Sequence, residues 1–102
     1  MSHNSFYTRD LSKDPYSATS VFIKILPQIK SIKQITTNED ERIFRAKDLI
    51  IASLKHAQER SPRSISSSYI ESYAHRIDTC IDLNDIIDMI SRSISRGKNY
   101  SG

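Results

Sequence analysis

Residues 18–32 read Ala-Thr-Ser-Val-Phe-Ile-Lys-Ile-Leu-Pro-Gln-Ile-Lys-Ser-Ile, and the spacing of their apolar positions decides the fold. Ala18, Phe22, Ile25, Ile29 and Ile32 recur at steps of four and three. That spacing puts them on one face of a helix. Val21 and Leu26 flank the stripe. The β-branched run Val21-Phe22-Ile23 could start a strand, but helical phase over the longer window outweighs it. The spacing predicts a helix over 17–35. Pro27 lies inside it and removes the bond to the carbonyl of Ile23, which predicts a kink or a restart there.

The same period continues along the chain. Ile43, Ala46, Ile50, Leu54 and Ala57 share one face of a second helix, with Phe44 and Ile51 beside them. Thr36 with Glu39, and Thr37 with Asp40, have the spacing of a capping box. Glu39, Asp40 and Glu41 suit the positive end of a helix dipole. Ser61-Pro62 stops this helix near Arg60. Ser61 to Ser68 is a Ser-rich linker by composition, open to phosphorylation between Arg60 and Arg63.

A third helix carries Ile70, Tyr73, Ala74, Ile77 and Ile81 on one face. Either Ser68 caps it, with Glu71, or Ser66 does, with Ile65 and Ile70 as a hydrophobic staple. Leu83, Ile86, Ile87, Ile90 and Ile94 form a last stripe. Tyr73, Ile77, Cys80, Ile87, Ile90 and Ile94 keep phase across the join, so 67–96 reads as one helix or two. Asp78, Thr79, Asp82 and Asn84 are poor helix formers, which favours a break near Asp82. Gly97 is placed to cap the C-terminus.

The expected fold is therefore all-α: a small bundle of three or four helices over 17–102, preceded by a flexible tail over 1–16. The tail is polar, and Asp14-Pro15 ends it. A chain of 102 residues holds one domain. Two glycines and three prolines are few for a turn-rich β or phosphate-cradling fold. No stretch approaches a membrane span, and the N-terminus has no apolar signal core. The single cysteine, Cys80, fits a reducing compartment. The cytoplasm is the expected location, with the nucleus as the alternative.

Chemistry has few residues to work with. Cys80 and His75 are five apart, about 140° round a helix, so they do not face each other. His3, His56 and His75 have no metal-ligand spacing. Asp78, Asp82, Asp85 and Asp88 would line one face, read as a solvated acidic surface. No catalytic residue, cofactor or metal is expected. The apolar stripes look broad for so small a body, and Ile at seam positions permits self-association. The sequence thus points to a non-catalytic interaction module, adaptor or regulatory subunit, with a protein partner or a second copy on Phe22, Ile25, Ile29, Ile87, Ile90 and Ile94. The alternative is a nucleic-acid-binding accessory protein using Lys30, Lys33, Arg60, Arg63, Arg92 and Arg96. The net charge of +3 permits this without arguing for it. The long linker after helix two and the acids opening the last helix disfavour a helix-turn-helix reader.

Overall fold

Ser17 starts the first helix, because its hydroxyl accepts the backbone N–H of Ser20 at 3.2 Å. The computed structural model describes residues 14–101, with side chains to residue 98. Residues 1–13 of the expected tail lie outside the described residues. Asp14 braces the start of the fold: its carbonyl accepts from Ser17 N and Ser20 Oγ, and its carboxylate from Tyr16 N and Ser64 Oγ.

Helix α1 spans Ala18–Ser31 and passes into a single 3₁₀ turn, Ile32–Gln34. It continues through Pro27, where the sequence predicts a kink or a restart. Pro27 and Ile23, whose carbonyl loses its intrahelical donor, both lie on the exposed side of the helix. The change of helical type comes later, after Ser31, whose hydroxyl donates to Pro27 O.

Helix α2 spans Glu39–Arg60. Its cap is Asn38, which accepts from Glu41 N, and not Thr36 or Thr37. Thr36 instead supports the cap: its hydroxyl accepts Asn38 N and donates to Glu41 Oε1. That contact and Arg45 hold the Glu41 carboxyl below its ordinary pKa, Arg45 contributing most.

Helix α3 spans Ser67–Asp78 and is capped by Ser66, with Ile65 and Ile70 both buried in the staple positions. It ends at Thr79. Helix α4, Leu83–Ser101, restarts at Asp82, which accepts from Asp85 N, while Asp85 accepts from Ile81 N. The join is therefore broken. Glu39 accepts Leu83 N at 2.7 Å, so one carboxylate of α2 serves the N-terminus of α4.

Short connections make the helices run up, down, up and down. Lys33 meets Asn84 at one end of the α1–α4 pair, and Thr19 meets Gly97 at the other. Lys47 pairs with Asp78 between α2 and α3. The core between them holds Phe22, Ile29, Ile50, Leu54, Tyr73, Ile77, Leu83, Ile86 and Ile90, each under 2% exposed. Among the described residues there is no strand.

Gly97 is not a cap; α4 runs on to Ser101. No described glycine has a positive φ, so this one is needed for space rather than for conformation. A Cβ there would overlap Thr19 Oγ1 and come within 2.9 Å of Thr19 Cβ. Gly97→Ala gains about 1 kcal/mol of helix propensity. Overpacking at a helix crossing costs about 1–3 kcal/mol. The clash is with a Cβ as well as a rotatable hydroxyl, so the cost wins. Urea denaturation should show a net loss of about 1 kcal/mol, only partly recovered by adding Thr19→Ala.

Candidate functional site

The outer side of the α1–α2 pair is a groove of about 490 Å³. Val21 and Ile25 from α1, and Leu49, Ala52 and Ala57 from α2, form its apolar floor. Lys24, His56 and Arg60 stand on its rim, and no carboxylate lines it. Helical spacing explains the layout. Val21 and Ile25 are four apart, as are Lys24 and Gln28, and positions 49, 52, 53, 56 and 60 recur along one side of α2. Leu49 and Ala52 also line a second hollow, with Phe44, Glu41, Arg45 and Asp48. The two hollows adjoin at Leu49 and Ala52, and their linings together span α2 from Arg60 to Phe44, roughly 24 Å at 1.5 Å per residue. Phe44 is 70% exposed at the far end.

The six residues expected to meet a partner lie elsewhere. Phe22, Ile25, Ile29 and Ile90 are buried within the chain, and Ile87 and Ile94 are partly buried against the same core. Those stripes are broad because each faces two neighbouring helices of the bundle. Four of the six are thus taken up by the chain's own core; of the six, only Ile25 reaches the groove floor.

The six expected cations do not form one patch. Lys33 donates to Asn84 near the start of α4. Arg60 belongs to the groove at the opposite end of α1 and α2. Arg92 shares a hollow with Asp85 and Asp88. Arg96, however, meets an arginine the sequence reading passed over. A cleft of about 300 Å³ between α3, α4 and the first turn of α1 is lined by Thr19, Tyr69, Arg76, Ser93, Arg96 and Gly97. Tyr69 is also a wall of the adjoining hollow that holds Arg63.

The cleft rests on an aromatic cluster. Phe22 and Tyr73 lie 4.9 Å apart, and Tyr69 and Tyr73 5.7 Å. The Arg76 guanidinium stacks 5.0 Å above the Tyr73 ring. Tyr73 Oη and Ser93 Oγ are 2.8 Å apart. Burial pushes both phenols above their ordinary pKa, although Arg76 and Arg96 each pull them down. The sequence does carry a signal for Arg76: it lies three residues beyond Tyr73 on one helix.

Cys80 lies in the hollow with Arg76, Asp85 and Arg92. Burial, then Asp85, pushes its thiol up, which disfavours the thiolate. His56 belongs to the separate α1–α2 groove. Among the described residues, no three His, Cys, Asp or Glu side chains are grouped to hold a metal ion, and no helix is long and apolar enough to cross a membrane.

No protein-family model matches this chain, and no curated protein or solved structure matches it.

Proposed function

We propose that this chain is a non-catalytic interaction module that receives an acidic amphipathic helix of a partner protein in the α1–α2 groove. The supporting observation is an apolar floor with Lys24 and Arg60 on its rim and no carboxylate in the hollow that Arg60 lines; Glu41 and Asp48 stand only towards the Phe44 end. A helix laid in such a groove buries its apolar face and sets its carboxylates against Lys24 and Arg60. The length from Arg60 to Phe44 matches about four helical turns. Phe44, exposed at the far end, would add an aromatic contact of the kind enriched at protein interfaces.

Nucleic-acid binding has weaker support, because Lys30, Lys33, Arg60, Arg63, Arg92 and Arg96 are spread over several surfaces and Arg92 stands beside two carboxylates. Retention on heparin over a salt series separates the two readings. A shallow dependence is expected, where a nucleic-acid protein would show a steep one.

Ala52 is exposed and lines both hollows, so Ala52→Glu blocks the groove without touching the core. The expected result is a loss of partner affinity of about tenfold or more, and Phe44→Asp should act in the same direction. Calorimetry against the captured partner reads this, with circular dichroism to verify folding. Equal binding by both variants would exclude the groove. Light scattering on the isolated chain tests the other occupant, a second copy.

A further inference from the structure

We infer that the cleft bounded by α3, α4 and the first turn of α1 binds a phosphate monoester group. Arg76 and Arg96 both line it, with the hydroxyls of Thr19, Tyr69 and Ser93 and no carboxylate, although Arg76 also borders the neighbouring hollow that holds Asp85 and Asp88. Neither guanidinium is in an ion pair with a described residue. Arg42 and Arg45, by contrast, are paired with glutamates, whereas Arg76 and Arg96 line one cleft together. Guanidinium is the side chain best matched to phosphate, because it offers parallel N–H donors to two oxygens.

The site is ordered in advance. Arg76 is held over the Tyr73 ring, and Tyr73 is fixed by Phe22 and Ser93. A guanidinium already positioned loses less freedom when an oxyanion arrives. Tyr69 stays protonated at neutral pH and can donate its O–H. Glycine at position 97 keeps the wall beside Thr19 low, since any Cβ there would push into Thr19. Arg63, across Tyr69, offers a further cation to whatever carries the phosphate. None of these residues belongs to the α1–α2 groove, so this inference stands independently of the function proposed above.

The test is titration of the full chain at constant ionic strength, followed by amide NMR. The probes are inorganic phosphate, O-phosphoserine and a short phosphoserine peptide, with the unphosphorylated peptide as control. Saturable shifts are expected at Thr19, Tyr69, Ser93 and Gly97. Arg96→Gln should weaken binding about tenfold or more, the equivalent of one charge-assisted hydrogen bond. Arg96→Lys should recover only part of this, since it keeps charge but loses the planar fork. Arg96 is exposed, so neither variant threatens the fold. A gain of tenfold for the peptide over inorganic phosphate would identify a phosphorylated chain as the source; equal binding would identify a free small phosphate. Shifts that do not saturate, that the unphosphorylated peptide reproduces, or that survive Arg96→Gln unchanged would overturn the assignment.

Discussion

Phe22→Ala should destabilise the chain by about 3–5 kcal/mol, in line with loss of a buried aromatic side chain. Phe22 is 1% exposed and packs on Tyr73 at 4.9 Å, so its removal leaves a cavity beside a ring that cannot follow it. Domains of this size hold only about 5–15 kcal/mol in total, so this is a large fraction of the chain's stability. Urea denaturation at two protein concentrations gives the decisive measurement. A core residue of a monomer lowers the midpoint equally at both. A residue that stabilises through contact with a second copy lowers it in a concentration-dependent way. The burial of Phe22 leads us to expect the first result. A shift of a few tenths of a kcal/mol would mean that the side chain is not packed as described.

The same residue shows how far the sequence could be read. The period-3.6 stripe containing Phe22 was legible, because burial imposes spacing on a helix whatever it packs against. What it packs against was not. A stripe facing sister helices and a stripe facing a partner have the same composition and period. The stripes of α1 and α4 read as faces left for a partner, and the four-helix closure buries most of them. Caps were legible as regions and ambiguous as residues. Thr36, Thr37 and Asn38 all have side chains that can accept a helix N–H. The choice of Asn38 follows from Thr36 holding Asn38 N and Glu41 together. Gly97 had the composition of a cap, but its actual constraint is the approach of Thr19, a contact some eighty positions away in the chain.

Both candidate surfaces were hidden for a related reason. Lys24, His56 and Arg60 are scattered in sequence and meet only because α1 and α2 lie antiparallel. Arg76 and Arg96 come from different helices and converge over Tyr69 and Tyr73. Only the local part was available beforehand: Tyr69, Tyr73 and Arg76 recur at steps of four and three along α3.

Ile77→Ala and Ile81→Ala form the pair with the sharpest contrast. If the helical phase ran on through the join, the two side chains would share a face and cost about the same. The chain instead leaves the helix at Thr79, where its hydroxyl donates to Arg76 O, and Asp82 starts α4 afresh. Ile77 remains fully buried and Ile81 turns outward, 79% exposed. Ile77→Ala should therefore cost about 2–5 kcal/mol, for lost transfer energy and a cavity facing the core. Ile81→Ala should fall within about 0.5 kcal/mol of the parent, as surface changes do. Paired urea curves measure the difference directly, and equal losses would restore a continuous helix. Asp82→Ala then separates the cap from the packing. It leaves Asp85 N without its acceptor and should cost about 1 kcal/mol. The loss should be smaller than that of Ile77→Ala, because Glu39 still holds Leu83 N from the neighbouring helix.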